Sequence, residues 1–346
     1  MPRTRRRILG LAAATALAAC SKPPPLKTPT AARRAIDTGK LDRGFPALAQ
    51  RARPGAFAMG LMDLETTQTW YWNIDRAFPL AGAAAAPIAA AAMAEVDAGN
   101  LRLAEPIAFD ELDLSPPPSL INRNFPTPPG GHKTALSAES LIQLAVHEAD
   151  TTATDVLMKR IGGPGEVSAF LEQKGVTGLR VDRYWREIGV EIFGMPTFRP
   201  DWKNPAAFIA ARGQVPPVVR QAAMDRLILD PRDTSTVPAA LGFLALLAGG
   251  ELVSPASTQR LLSLMSNGPA GRFSAGMPPG AVVARAGGAE PSDLGFVAAA
   301  AELAIVTLPH GGRYALAGFL VGSTATEAAR QALFADGARL ASAAVS

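Results

Sequence analysis

The order of the predicted secondary structure constrains the fold of this chain most, because strand-like segments lie near both ends and helical patterns lie between them. The runs 56–64 and 68–72 flank turn residues 65–67 and predict a hairpin. Further strands are predicted at 281–285, within 296–308 and at 314–321. Strands from both ends must complete one sheet. We therefore predict an α+β domain whose antiparallel sheet has flanking terminal helices and an inserted all-helical lobe at about 82–265.

Helical patterns with capping signals and glycine or proline breaks fill the middle of the chain. Ser137 is expected to cap one helix. The predicted helices are 88–96, 137–146, 152–161, 166–174, 238–248, 255–265 and 326–341. Proline is accepted at the first helical position and disfavoured in the interior, so we expect the first helix to begin near Pro87 or to kink there. The alternative is that Pro87 lies within the first turn and disturbs nothing.

Residues 1–19 predict an export signal. The run Thr4–Leu9 resembles a twin-arginine motif, and the apolar run that it leads into has 12 residues, fewer than the roughly 20 that span a bilayer. Leu17-Ala18-Ala19-Cys20 resembles a lipobox, so we expect cleavage before Cys20 and its lipidation. The alternative is a plain signal peptide with an incidental cysteine. With Ser21 next, the expected location is the periplasmic face of the envelope (the outer membrane in a Gram-negative host), anchored through this lipid only.

The segment 20–43 predicts a flexible tether between the lipid and a folded domain at 44–346. It is rich in proline, alanine, lysine and arginine and shows no periodicity. The formal charge of +4 belongs to the export signal, since residues 1–19 hold four arginines and no acidic residue. The mature chain is thus near neutral, and we expect no nucleic-acid partner.

Cysteine and histidine usage excludes several kinds of site. With one cysteine, no internal disulfide can form. The histidines at 132, 147 and 310 lack the spacing of metal ligands. The glycines at 287 and 288 lack the strand–loop–helix context that phosphate binding requires. We therefore expect neither a metal nor a cofactor.

Five partial motifs occur in order between residues 78 and 259. They are Phe78–Gly99, which begins F-P and ends D-A-G; Ile161–Pro164 with Phe170-Leu171; Arg180–Tyr184; Arg232–Pro238; and Leu247–Gln259. Together they resemble class A β-lactamases, and the resemblance covers roughly 50–346. It implies the serine β-lactamase/transpeptidase-like fold, in which a serine hydroxyl, activated by a lysine one helical turn later, attacks the lactam carbonyl.

The positions that this resemblance assigns to catalysis hold residues without that chemistry. Gly82 and Ala85 stand where the family has the serine and lysine of S-x-x-K, and no S-x-x-K occurs elsewhere. The other positions are Ala149, Asp150 and Thr151 for the S-D-N triplet, Trp185 for the omega-loop glutamate, and Arg285, Ala286 and Gly287 for the K-S/T-G triplet. Loss of a nucleophile typically costs on the order of 10⁶ in rate. We therefore expect no catalytic residue and an inactive relative.

Three groups remain as ligand-binding candidates: Arg285, the backbone N–H of Gly288, and Asp150. A cation beside a backbone donor suits a carboxylate, so a peptide or cell-wall fragment is the expected ligand. The alternative is an active serine-type hydrolase that uses displaced residues. That mechanism requires a hydroxyl and a base within about 3 Å of each other in the pocket.

The segment 183–233 is longer than the family's omega loop, and the resemblance implies an ion pair between Arg183 and Asp233 at its ends. Loops of this length without structure are uncommon. One interpretation is a helix or two packed over the vacated pocket. The other is a lobe that binds an envelope protein through exposed aromatic side chains. Burial of the aromatics Phe193, Phe198 and Trp202 would exclude the second interpretation.

Overall fold

A five-stranded antiparallel sheet forms the centre of the domain. The computed structural model describes residues 35–124 and 133–345; the predicted export signal, Cys20 and most of the predicted tether lie outside them. The strands are β1 (Ala56–Asp63), β2 (Thr69–Trp72), β3 (Phe78–Pro79), β4 (Pro106–Phe109), β5 (Thr134–Ser137), β6 (Thr234–Ser235), β7 (Val282–Ala289), β8 (Val297–Thr307) and β9 (Arg313–Ser323). The sheet order is β2-β1-β9-β8-β7. The hairpin and the closure of the sheet by segments from both ends are confirmed.

Twelve helices are present in the described residues. They are α1 (Thr38–Gln50), α2 (Ala85–Asp97), α3 (Leu120–Asn124), α4 (Ala138–Glu148), α5 (Thr151–Arg160), α6 (Pro164–Gln173), α7 (Trp185–Glu191), α8 (Pro205–Gly213), α9 (Pro217–Leu229), α10 (Val237–Gly249), α11 (Pro255–Ser266) and α12 (Glu327–Val345). All seven predicted helices occur, and the hydroxyl of Ser137 caps α4 as expected by accepting the N–H of Ser140. Among the described residues, no helix combines the length and apolarity needed to cross a membrane.

The terminal helices α1 and α12 pack on one face of the sheet. Phe45 of α1 stacks on Phe57 of β1, and Phe334 of α12 contacts the same ring edge-on. Asp37 caps α1 by accepting the N–H of Lys40, and Leu41 is fully buried. The tether prediction is therefore wrong for residues 38–43, because an amphipathic turn there joins the core.

The inserted lobe covers the other face of the sheet, and it is not all-helical as predicted. Strands β4 and β5 form a two-stranded ribbon within it, and β3 pairs with β6 where the chain enters and leaves. The alternation of buried Ile107 and Phe109 with exposed neighbours gives β4 a strand period that the sequence prediction missed.

Helix α2 starts close to the position that Pro87 indicated. A 3₁₀ turn at Ala81–Ala84 precedes it, and Pro87 is its third residue, so the proline lies within the first turn. Proline is tolerated there because N–H groups of the first turn lack partners within the helix. Residues 85–93 are all buried, and their small alanine side chains allow the lobe and the sheet to approach α2 closely.

Candidate active-site region

The three segments that the resemblance assigns to catalysis meet around Gly82. This glycine lies in the 3₁₀ turn before α2 and faces strand β7 and the junction of α4 and α5. A Cβ atom at Gly82 would lie 2.7 Å from the nitrogen and 2.8 Å from the Cα of Gly288, and 3.0 Å from Cβ of Ala149. Carbon atoms do not approach backbone this closely, so the space for a nucleophile side chain at residue 82 is closed by main-chain contact.

The neighbouring positions are buried and apolar. Ala85, the first residue of α2, is 2% exposed. Ala149 ends α4 in a left-handed conformation, with φ of 49°. The cavity beside them has a volume of about 30 Å³ and is lined by Gly82, Ala149, Thr151, Trp185, Gly189, Ala289 and prolines 116, 117, 118 and 291. That volume is on the order of one or two water molecules, far too small for a bicyclic lactam.

Trp185 is the residue that the resemblance places at the omega-loop glutamate. It begins α7, and its backbone N–H donates to Oδ1 of Asp155 over 2.7 Å. Oδ2 of Asp155 accepts the N–H of Arg186 and the hydroxyl of Ser115. Burial raises the pKa of Asp155 to about 7, although these three hydrogen bonds oppose the shift. The carboxylate thus anchors the start of α7 and with it the indole.

Asp150 does not face a ligand site, contrary to expectation. Its Oδ1 accepts the N–H of Ala153, as a helix cap, and the hydroxyl of Ser119. Its Oδ2 accepts the N–H groups of Leu120 (2.6 Å) and Ile121 (3.0 Å). The side chain is 1% exposed, so it holds the 115–121 loop against α5 and has no contact with an open groove.

Asp150→Asn is expected to lower the free energy of unfolding by about 1–3 kcal/mol, because the amide nitrogen would leave buried N–H groups without an acceptor. Urea unfolding measures this change. Asp201→Asn, at an exposed position of the insert, is the control and should stay within about 0.5 kcal/mol of the parent. Equal stability of the two variants would contradict the assigned role.

Arg285 and Gly288, the other two ligand-binding candidates, both make contacts within the chain. Arg285 is 7% exposed, and its guanidinium donates through Nη2 to the carbonyls of His147 (3.0 Å) and Pro269 (2.8 Å). The nitrogen of Gly288 lies against Gly82. Both residues nevertheless line an open cleft beside β7, so their expected role in binding a ligand carboxylate stays a prediction.

A larger cleft lies beside β7, on the side of α12. It has a volume of about 520 Å³, and its polar lining consists of Arg272, Arg285, Glu302 and Gln331. Glu302 accepts the backbone N–H groups of Arg272 (2.7 Å) and Phe273 (3.1 Å). Burial raises the pKa of Glu302, and these N–H groups and the two arginines oppose the shift. The sequence did not predict this cleft, because alanine and glycine residues line most of it and carry no motif that marks a binding site.

Displaced residues do not assemble a nucleophile in the small cavity. Two serines pair with carboxylates in the described residues around it: Ser115 with Asp155 at 2.5 Å, and Ser119 with Asp150 at 2.9 Å. Both serines are buried, and neither lines the cavity beside Gly82. The hydroxyl and base required for the alternative mechanism therefore do not meet in that pocket.

The insert 183–233 folds into α7, α8, α9 and a 3₁₀ turn at Pro200–Lys203. Nε of Arg183 and Oδ2 of Asp233 lie 2.6 Å apart at its neck, so the expected ion pair forms. The aromatic side chains of the insert are buried: Phe193 at 0%, Phe198 at 5% and Trp202 at 9% exposure. The interpretation as a docking lobe of exposed aromatics is therefore wrong, because these rings are buried in the hydrophobic core that the lobe and the sheet share.

Two features of the region escaped the sequence analysis. The Pro116-Pro117-Pro118 run lines the small cavity beside Ala149 and Thr151. Three consecutive prolines fix the backbone, and this run is visible in the sequence as a rigid segment. Glu290 follows β7 and faces the insert, and no sequence pattern marks it. Among the described residues, no group of histidine, cysteine or carboxylate side chains has the arrangement of a metal site.

Comparison with known proteins agrees with this geometry. The model of the Beta-lactamase enzyme family matches residues 40–345. β-Lactamase VEB-1 of Pseudomonas aeruginosa is 23% identical over 293 residues, or 84% of this chain and 85% of that protein. A β-lactamase structure from Chitinophaga pinensis DSM 2588 superposes with a TM-score of 0.70 at 24% identity, covering 89% of this chain and 100% of that one. The class A β-lactamase of the last common ancestor of Gram-negative bacteria (GNCA4) gives 0.67 at 25% identity, covering 86% and 98%.

These matches cover the sheet, both terminal helices and the lobe that carries Gly82 and Ala149. The class A β-lactamase-like fold expected from the five partial motifs is thereby confirmed. Since the family model spans nearly the whole described domain, the chain belongs to the β-lactamase enzyme family.

Proposed function

We propose that this protein is a catalytically inactive member of its family, exported and held at the periplasmic face of the envelope by a lipid on Cys20. The contact between Gly82 and Gly288 is the observation that carries the proposal. Acyl transfer needs a nucleophile and a base beside the scissile carbonyl. Here the nucleophile position has no side chain, and a Cβ atom there would lie 2.7 Å from backbone.

The proposed role is binding without bond cleavage. The 520 Å³ cleft beside β7 is the site for a small polar ligand such as a peptide or cell-wall fragment, since Arg272, Gln331 and Glu302 offer both donors and an acceptor there. Arg272 pairs with Glu327 at 2.9 Å, and its guanidinium lies over the ring of Phe334. Glu327 is half-exposed and also pairs with Arg330, so a ligand carboxylate can take its place beside Arg272 at little cost.

Incubation of the purified protein with a chromogenic cephalosporin and a fluorescent penicillin tests the absence of catalysis. We expect no turnover above the buffer rate and no increase in intact mass, while an active class A β-lactamase run in parallel gives turnover. Hydrolysis or a stable adduct would refute the proposal. Peptide mapping of such an adduct would then address Ser115 first, whose hydroxyl donates to Asp155.

A further inference from the structure

A second, enclosed cavity separates the end of β7 from the neck of the insert. Glu290, the first residue after β7, is 4% exposed and lines it together with Arg183, Asp233, Arg232 and Trp185. Its volume is about 20 Å³. The remaining wall comes from β3, the 3₁₀ turn, α2, the segment before Arg183, α7 and α9. The residues that these elements supply have apolar side chains: Pro79, Leu80, Ala81, Ala84, Ile88, Val181, Ile188 and Leu227.

Two buried polar atoms lining this cavity have no hydrogen-bond partner among the described residues: Oε2 of Glu290 and Nη2 of Arg183. The other nitrogens of Arg183 are used. Nε pairs with Asp233, and Nη1 pairs with Glu191 and, at 3.3 Å, with Asp230. An unpartnered buried donor and an unpartnered buried carboxyl therefore line the same cavity, which is costly unless the two can pair.

The charges around the neck decide when that pairing occurs. Two guanidinium groups, Arg183 and Arg232, already face three carboxylates, Asp230, Asp233 and Glu191. Arg180 beside them pairs with Asp182, so these guanidinium groups at the neck already have carboxylate partners before Glu290 ionises. Accordingly, burial raises the pKa of Glu290 to about 8, with a further rise from Asp233 and an opposing effect of Arg183. Burial thus favours the neutral acid form of Glu290 in the folded chain.

We propose that Glu290 and Arg183 form a pH-sensitive switch between the end of β7 and the neck of the insert. When Glu290 ionises, its Oε2 accepts Nη2–H of Arg183, and the new ion pair draws the neck toward β7. Trp185 lines both this cavity and the one beside Gly82, so the same movement repacks the indole over the former catalytic positions. The switch is independent of whether the protein hydrolyses or binds any ligand.

Tryptophan emission of the full chain, recorded between pH 6 and 9, tests the switch. We expect a reversible shift in emission with a midpoint near pH 8 in the parent, and its loss in Glu290→Gln. Glu191→Gln removes a half-exposed carboxylate from the same guanidinium and is the matched control, which should keep the shift. Trp185→Phe should lose it, because Trp70, Trp72 and Trp202 do not line the cavity.

Unfolding equilibria supply a second readout. A carboxyl whose pKa is raised by folding stays protonated in the native state while the unfolded chain ionises, so stability falls as pH rises from about 4.5 to about 8. Relative to Glu290→Gln, the unfolding constant of the parent should rise up to about tenfold per pH unit in that window and level off above it. An emission shift that persists in Glu290→Gln, or a ratio of unfolding constants that does not change with pH, would overturn the proposal.

Discussion

Restoring serine at residue 82 and lysine at residue 85 is expected to destabilise the protein and not to restore β-lactam hydrolysis. The serine Cβ would lie 2.7 Å from the nitrogen and 2.8 Å from the Cα of Gly288. Backbone cannot rotate away as a flexible side chain can, so the 3₁₀ turn and β7 must separate. Overpacking of this kind costs about 1–3 kcal/mol, occasionally more.

The lysine adds a second cost. Ala85 is 2% exposed within a wholly apolar turn of α2, and an ammonium group buried there must be desolvated without an opposite charge beside it. We therefore expect Gly82→Ser alone to lose about 3 kcal/mol and the double variant Gly82→Ser/Ala85→Lys to lose more or to fail to fold. Guanidinium unfolding and cephalosporin turnover measure the two parts of this prediction.

Gly242→Ala is the matched control, because a Cβ at that helical glycine meets nothing within 4 Å. It should be neutral or stabilising by about 1 kcal/mol or less, since alanine favours the helix. A Gly82→Ser variant as stable as Gly242→Ala would show that the contact with Gly288 is not tight. Hydrolysis by the double variant would show that the fold still admits the substrate.

Removing the carboxylate of Asp233 is expected to cost about 3–5 kcal/mol of unfolding free energy, because it leaves the buried guanidinium of Arg183 without its most buried partner. The residue also accepts the backbone N–H groups of Asp182 (2.7 Å) and Arg183 (3.0 Å) through Oδ1. It thus joins the two ends of the insert by charge and by hydrogen bonds, so its loss should loosen the whole segment.

Asp233→Asn and Asp233→Ala separate charge from backbone strain in this measurement. Asp233 has φ of 52°, a conformation that asparagine tolerates better than alanine. The loss of unfolding free energy in the asparagine variant should therefore come mostly from the missing charge, and any additional loss in the alanine variant comes from backbone strain. Glu139→Ala removes the exposed ion pair with Arg260 and should cost at most about 1 kcal/mol. Comparable small losses in all three variants would contradict a structural role for the buried pair.

The sequence predicted which residues occupy the candidate site, but it did not predict which atoms those residues contact. The motif order located Gly82, Ala149 and Arg285 in sequence; in space Gly82 lies against Ala149, and Arg285 donates to the carbonyl of His147 two residues before it. The inference that Asp150 is open to a ligand was wrong, whereas Arg285 and Gly288 line the 520 Å³ cleft and stay candidates. A buried hydrogen-bonding group takes whatever partners packing brings to it, and here the donors on Ser119, Leu120 and Ile121 fill the Asp150 carboxylate.

The sequence alone determined the features that depend on near neighbours. Capping by Ser137, the hairpin around residues 65–67 and the start of α2 near Pro87 follow from side chains and dihedral preferences that act within a few residues. The tertiary structure alone decided that Gly82 touches Gly288, that Glu290 faces Arg183, and that the aromatic rings of the insert turn inward. Those contacts join segments that are distant in sequence. Their lengths depend on how closely the lobe packs on the sheet, which the small residues of α2 permit.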